Sequence, residues 1–425
     1  MGALDGQVVG VIGLGYVGLP LAEAVSGAGA RVVGYDTSAP LVERLAAGNS
    51  HVGDVPGQAV KEMLERRALF TTDAAALGDC AVFVICVPTP LKEKYPDLGA
   101  VRAASQVVGA AMSAGDLVIL ESTTYPGTTK DVVAPILAEA SGLVPGKDFH
   151  LAFSPERIDP GNSRYGIRNT TKVVGGLTPS DTAAAERFYS AFVDDVFLVK
   201  SPAEAEMAKL LENTFRHVNI ALVNEMAIFC RELGVDLNSA IDAAATKPFG
   251  FMAFRPGPGV GGHCIPIDPS YLSWRVRQLG YSFRFVELAE EINDRMPAYV
   301  VSRSAALLND VSKPLRGSEI LMIGVAYKKD ISDVRESPVY SVARRLMTAG
   351  ASVSWYDPFV ESFMVDDATT NRVDELDPVS LRRADLTVVI TDHTGIDWDH
   401  IREHAQLILD TRNVYGSHTA GVAGL

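Results

Sequence analysis

The sequence predicts an α/β protein: two Rossmann-like, doubly wound domains joined by a central all-α domain with a long helix. Three observations carry that expectation. Strand-like apolar runs alternate with helix-like stretches at both ends of the chain. Between Ala203 and Gly234 there is no Pro or Gly among good helix formers. The two ends also echo each other, VVGVIGLGYVG and RVVGYD against ILMIGVAYKKD and SVSWYD.

Taken in order, Gln7 to Ile12 is a buried-strand run, followed by a Gly-rich turn and an apolar-periodic helix from Leu19 to Ala28. Arg31 to Tyr35, Ala81 to Val87 and Leu117 to Leu120 read as further strands, and Phe149 to Phe153 is another apolar run. The long helix that follows is about 30 residues, or ~45 Å at 1.5 Å per residue. More helix is expected over Leu237 to Thr246 and Ser270 to Met296. The α/β rhythm resumes with a strand at Glu319 to Gly324 and a helix at Pro338 to Thr348. Strands at Ala351 to Asp357, Leu386 to Thr391 and Leu407 to Asp410 complete it, and the tail from Gly416 is expected to fray. These elements divide the 425 residues into segments 1–200, 201–300 and 301–425.

Composition narrows the function. There are 38 Lys and Arg against 52 Asp and Glu, a net charge of −14, which argues against nucleic-acid or anionic-membrane partners. No apolar run reaches the ~18 residues of a membrane span. Met1 to Gly10 has no basic leader, so the expected location is the cytoplasm. Four Cys (Cys80, Cys86, Cys230, Cys264), with no CxxC and no His cluster near them, exclude a disulfide framework and give no metal site.

Gly13-Leu14-Gly15-Tyr16-Val17-Gly18 follows a strand and opens a helix, and Asp36 ends the next strand. Gly13 permits the tight turn, Gly15 lets the backbone approach a pyrophosphate, and Gly18 allows helix–strand contact. Asp36 accepts from a ribose hydroxyl and would repel a 2′-phosphate, so the expected cofactor is NAD. The second copy has a single Gly324, followed by Lys328 and Lys329, and so suits a different ligand. Val87-Pro88-Thr89-Pro90 and Ser122-Thr123-Thr124-Tyr125-Pro126-Gly127 sit where strands end, at the ligand-binding edge of an open sheet or as plain Pro turns.

Gly257-Pro258-Gly259-Val260-Gly261-Gly262-His263-Cys264-Ile265-Pro266-Ile267-Asp268 is the most informative stretch. Its glycines let the backbone pass close to something. A thiol before a helix is more easily ionised and becomes a nucleophile. His263 reads as supporting or structural, and the other three Cys as small buried hydrophobes. Lys209 and Asn213 share one helix face, with Arg216 or His217 continuing the spacing. The pair supplies two donors for an oxyanion. Glu156, in Ser154-Pro155-Glu156-Arg157, points from a strand end toward the cleft. Tyr327 to Asp330, Arg335 to Ser337 and Asp410 to Asn413 supply cations suited to a diphosphate.

On these motifs the chain resembles the UDP-glucose/GDP-mannose dehydrogenase family, the nucleotide-sugar 6-dehydrogenases. The resemblance runs from GLGYVGLP through PGPGVGGHCIPIDP to AYKKDISDVRESP and DTRN. It is nearest the UDP-N-acetylglucosamine branch, with UDP-N-acetylmannosamine beside it. Val260 and Ile267 depart from the UDP-glucose pattern, leaving a UDP- or dTDP-glucose enzyme as an alternative. The resemblance implies an NAD-binding first domain, a helical dimerisation domain carrying the Cys, and a C-terminal UDP-binding domain. It also implies the cofactor contacts Gly13, Gly15, Tyr16, Val17, Gly18, Asp36, Pro88, Thr89 and Thr124. Cys264 would capture the C6 aldehyde as a thiohemiacetal and pass through a thioester, using two NAD⁺ per sugar. Lys209 and Asn213 would stabilise the C6 alkoxide. Asp268, Glu156 and Thr124 would handle water and protons. Glu156, Arg157, Lys209, Asn213, Gly261, Lys328 and Arg412 would touch the substrate, and Arg255 would reach the neighbouring site of a homodimer. The rival readings are a two-electron hydroxyacid-type dehydrogenase using Lys209 and Asn213 alone, and a non-catalytic NAD-binding sensor.

Overall fold

A computed structural model describes residues 2–425 apart from Lys94, Pro160, Ser163, His263, Cys264, Asp367, Ser417, His418 and Ala420. By internal contacts the chain forms two compact units, Met1–Glu212 with Ser270–Tyr281 and Asn213–Pro269 with Ser282–Leu425.

The first unit is built on an eight-stranded sheet. Its order is Val196–Leu198, Lys172–Gly176, His150–Phe153, Leu117–Leu120, Val82–Ile85, Val8–Ile12, Arg31–Tyr35, Leu69–Thr71. The strands Val82–Ile85 and Leu117–Leu120 are apolar and buried throughout, as strands covered on both faces must be. Six strands run parallel, with Gly10 facing Val33 on one side and Phe83 on the other. Their order is that of a dinucleotide-binding fold, with the crevice beside Val8–Ile12. Lys172–Gly176 then joins antiparallel to His150–Phe153, and Val196–Leu198 joins parallel to it.

The second unit repeats the plan. Its sheet runs Asn371–Arg372, Ser352–Tyr356, Glu319–Ile323, Leu386–Val389, Ile408–Asp410, Val422–Gly424, all parallel and in the same order. The internal repeat expected from the sequence is therefore a structural one. Within the tail expected to fray, Val422–Gly424 pairs with Ile408–Asp410 as an edge strand.

The long helix spans Pro202–Glu232, 31 residues. It stops at Gly234, whose φ of +69° lets the Val235 N–H reach back to the Cys230 carbonyl. Asp236 caps the next helix, Leu237–Ala245. The single helix expected over Ser270 to Met296 is two. Asp268–Gln278 ends where Gly280 takes φ +84° and the Tyr281 N–H bonds to the Val276 carbonyl. Arg284–Asp310 then runs straight through Pro297, which is buried in the helix interior. A proline there forfeits one helix hydrogen bond, and burial of the surrounding apolar face outweighs that loss. No helix is long and apolar enough to cross a membrane among the described residues.

Candidate active site

In the first unit the glycine loop is shaped as the spacing requires. Gly13 has φ +91°, and a Cβ there would lie 2.6 Å from the Cys86 carbonyl oxygen. A Cβ on Gly18 would lie 1.8 Å from the Gly13 carbonyl oxygen. A Cβ on Gly15 would meet nothing, so the loop is open on that side. The helix Gly18–Gly27 begins at Val17 with no side-chain cap, and its Leu19 N–H bonds back to the Gly15 carbonyl at 3.1 Å. Tyr16 is exposed beside this loop, its ring edge-on to His51 at 6.5 Å. Asp36 accepts from the Leu14 N–H at 2.9 Å and the Ser38 N–H at 2.9 Å, tying the loop to the second strand. These residues fit a dinucleotide: an open backbone cradle, an uncapped helix start and a carboxylate at the strand end.

The equivalent loop of the second unit is built alike and then filled. Gly324 has φ +80°, and Asp357 accepts from the Val325 and Ala326 N–H groups at 2.7 and 3.1 Å. Here His393 Nε2 lies 2.9 Å from the same carboxylate oxygen, and both side chains are fully buried. Burial would raise the Asp357 carboxyl, yet the bond to His393 and its charge hold it below the usual range. No ribose can reach that carboxylate, which explains in packing terms why one copy suits a dinucleotide and the other does not.

The strand-end loops of the first unit are clamped. Thr89 is buried, and its carbonyl accepts from the Tyr271 hydroxyl at 2.7 Å, with exposed Pro88 beside it. Ser122 Oγ donates to the Val87 carbonyl at 2.8 Å. Thr124 is fully buried, and its hydroxyl has no partner among the described residues. Just beyond it, Glu206 of the long helix accepts from the Gly127 N–H (2.6 Å), the Thr129 N–H (2.8 Å) and the Thr129 hydroxyl (2.7 Å). This clamp was missed in the sequence, because an acid on a long helix looks like a solvated face. Burial outweighs the three donors and pushes Glu206 up to about 7. Its folded value lies above the unfolded one, so its contribution is complete below pH 4.5 and is lost as pH rises through about 7. Wild-type urea stability should fall across that window by about 2–3 kcal/mol more than in Glu206→Gln, which does not titrate. Parallel pH slopes for the two proteins would contradict this.

Glu156 is placed as expected, at the end of His150–Phe153, and a buried set of partners surrounds it. Its Oε1 accepts from the Arg157 and Ile158 N–H groups, each at 2.6 Å. Lys172 lies 3.4 Å from its Oε2 and 2.9 Å from Glu121 Oε1. Tyr189 donates to the same Glu121 oxygen at 2.5 Å. Arg157 is turned aside to Glu212 at 2.7 Å and to the Thr171 carbonyl at 2.6 Å. Lys209 is buried in the same unit, and its charge helps hold Glu156 ionised. The signal for Glu121 and Lys172 was present: a charge directly after one apolar strand run and another opening a second.

In the second unit Asn213 and Asp268 are both buried, and the Asn213 amide donates to the Asp268 carboxylate at 2.5 Å across 55 residues of sequence. Asp268 opens the helix Asp268–Gln278. Cys264 and His263 lie outside the described residues. The glycine run has a packing reason for its composition. A Cβ on Gly261 would lie 2.8 Å from the Glu336 carbonyl oxygen, and one on Gly262 2.7 Å from the Tyr327 ring. Arg412 packs at Gly257, where a Cβ would be 2.9 Å from its guanidinium, and donates to the Ile390 carbonyl at 2.7 Å. Lys328 is partly buried in the loop after Glu319–Ile323. Asn224 and Asn293, both missed, hold the start of the run: Asn224 accepts from the Gly257 N–H at 2.9 Å and donates to Asn293 at 2.9 Å. His217 is buried against Asn293, and Arg216 is exposed. Arg255 pairs with Asp242 and Asn238 of its own chain.

Cys80, Cys86 and Cys230 are free and buried. Burial pushes the Cys80 thiol up to about 12 and the Cys86 thiol well above its ordinary value. Among the described residues no group of His, Cys, Asp and Glu is arranged to hold a metal.

The glycine loop and sheet order are those of a dinucleotide-binding domain, and its family makes the chain an NAD-dependent oxidoreductase acting on a CH–OH group. The chain belongs to the UDP-glucose/GDP-mannose dehydrogenase family: its NAD binding domain matches residues 7–193, its central domain 203–295 and its UDP binding domain 321–417. It is 38% identical to a UDP-N-acetyl-D-glucosamine 6-dehydrogenase of Pseudomonas aeruginosa, over 83% of each chain. It is 35% identical to a UDP-N-acetyl-D-mannosamine dehydrogenase of Pyrococcus horikoshii, over 96% of this chain and 95% of that one. The solved structure of the UDP-D-ManNAc dehydrogenase from that organism superposes with a TM-score of 0.89 at 34% identity, over 98% and 99% of the two chains. A UDP-glucose dehydrogenase from Pyrobaculum islandicum superposes at 0.85 with 29% identity, over 96% and 94%.

Proposed function

We propose that this protein is a UDP-N-acetylhexosamine 6-dehydrogenase, with UDP-N-acetylglucosamine as its preferred substrate, that oxidises the C6 alcohol to a carboxylate in two steps. The observation that carries this reading is the Asn213–Asp268 bond. It joins the helix that bears Lys209 to the end of the Gly-rich Cys motif, which a plain alcohol dehydrogenase does not need. Bound in the glycine-loop cradle, NAD⁺ would supply the hydride acceptor for each oxidation. The residues do the rest. In the first oxidation the hydroxyl proton passes to Glu156 while Lys209 and Asn213 stabilise the alkoxide. Cys264 adds to the aldehyde as a thiohemiacetal, so the intermediate cannot leak. The second oxidation leaves a thioester on Cys264. Asp268 orients the water that hydrolyses it, with Thr124 beside the reacting oxygen. The balance is one alcohol, two NAD⁺ and one water giving a carboxylate, two NADH and three protons. Lys328, Arg412 and Gly261 would hold the UDP-sugar, and Arg157, paired to Glu212, would border it.

The relatives named above for N-acetylated sugars support the substrate class. A panel of UDP-N-acetylglucosamine, UDP-N-acetylmannosamine, UDP-glucose and dTDP-glucose, with NADH counted per sugar, tests the reading. Two NADH and the highest kcat/KM on the first are expected. A preference for the second or third would overturn the sugar assignment, and one NADH per sugar the four-electron course.

We further propose a homodimer through the long helix, with the three segments 1–200, 201–300 and 301–425 as its working parts. Met207, Leu211, Phe215, Leu222 and Phe229 recur at four- and seven-residue spacing on that helix and are 39% to 64% exposed. Such a stripe suits a second copy of the same helix. Arg255 would exchange its own-chain partner Asp242 for the neighbouring site in that dimer. Light scattering should give twice the chain mass, and a monomer that keeps full activity would refute the dimer.

A further inference from the structure

Lys172 is the only cation bonded to either of two buried acids at the sheet edge, among the described residues. It has no place in the substrate chemistry proposed above. Its side chain is 5% exposed, that of Glu121 is 0% and that of Glu156 is 14%. Charges this deep must be paired, and the pairing decides which acid carries the proton. We propose that Lys172, anchored by Glu121, is a positioning residue that keeps Glu156 a carboxylate and fixes its orientation for taking the substrate proton. This rests on the proposed role of Glu156.

The geometry supports it from three sides. Two backbone N–H groups, from Arg157 and Ile158, occupy Glu156 Oε1, leaving Oε2 to face Lys172. Glu121 and the Tyr189 hydroxyl form the back of the cluster, where Glu121 Oε2 has no partner among the described residues. The Lys172 ammonium also lies 5.1 Å from the centre of the Tyr189 ring. The titratable groups facing the cluster are Glu121, Lys172, Tyr189, Cys86 and Lys209, with Arg157 engaged by Glu212. The asymmetry follows. Burial pushes Glu121 up, so it takes a proton first. Against burial, the charge of Lys172, the two backbone donors and Lys209 hold Glu156 below the usual carboxylate range. Lys172 itself is held charged, because the two acids outweigh its desolvation.

The test is the pH profile of kcat/KM for NADH formation. Lys172→Gln keeps a hydrogen-bond donor but removes the charge. Its acid limb should move up by about one pH unit or more, with activity recovering at high pH. Lys172→Arg should leave the limb in place. Glu121→Gln should hold it at or below the wild-type position. A merely structural role would lower activity evenly across pH, and an unmoved limb in Lys172→Gln would overturn the inference. Should that variant fail to fold, Glu121→Gln/Lys172→Gln, which removes one charge of each sign, should still move the limb up, by less than Lys172→Gln would, and an unmoved limb in it would equally overturn the inference. Glu156→Gln separates the two readings. If it stays active, the role given to Glu156 fails. If it is inactive and the limb of Lys172→Gln does not move, only the role of Lys172 fails.

Discussion

Cys264→Ser should abolish the conversion of sugar alcohol to carboxylate. A serine hydroxyl does not ionise near neutral pH and cannot form the thioester through which the proposed second oxidation passes. Net acid formation should fall on the order of 10³-fold or more, as when other covalent nucleophiles are removed. The first oxidation needs no thiol, so trace aldehyde and at most one NADH per sugar remain. Absorbance at the NADH band, with mass spectrometry of the sugar nucleotide, measures both. NAD binding should be unchanged, because the cradle around Gly13, Gly15 and Gly18 belongs to another stretch of chain. Two NADH per sugar at the wild-type rate would sink the covalent mechanism.

Gly18→Ala and Gly15→Ala should fail for different reasons. A Cβ added at Gly18 would lie 1.8 Å from the Gly13 carbonyl oxygen, a backbone atom that cannot rotate away. The loop must move by roughly an ångström or more to restore ordinary contact, so cofactor binding and thermal stability fall together. A loss of ~1–3 kcal/mol of stability is expected from such overpacking. A Cβ added at Gly15 meets no protein atom, so the Tm of Gly15→Ala should match the wild type. The added methyl group nonetheless fills the side on which the backbone approaches the pyrophosphate, and affinity for NAD falls by at least ~10-fold, about 1.4 kcal/mol. Calorimetric titration with NAD beside thermal melts separates the two cases. A Gly18→Ala protein with normal stability and normal NAD affinity would show that the loop is not the cofactor cradle.

Local chemistry was legible without the structure. The strand Arg31–Tyr35 and the strand Leu117–Leu120 match the sequence reading residue for residue, since each is a short apolar run bounded by turn residues. The long helix was legible because nothing in it breaks a helix. The helix break at Gly280 was not, because a lone glycine can be tolerated inside a helix or can end it, and only the contacts around it decide. The passage through Pro297 misleads in the opposite direction, since tertiary burial overrides a local penalty.

What the sequence determined by itself was the set of residue types that chemistry demands: a glycine loop with Asp36, Lys209 and Asn213 one helical turn apart, and Cys264 four residues before Asp268. The tertiary structure alone decided which charges lose water and which partners they then keep. Glu206 looks like a surface charge in sequence, and with Glu121 and Lys172 it becomes one of the buried charges of the first unit. His393 likewise turns the second glycine loop away from dinucleotides by occupying Asp357. The reason is physical. A motif is a property of neighbours along the chain, whereas burial and pairing are set by residues brought together across 16 to 79 positions of sequence.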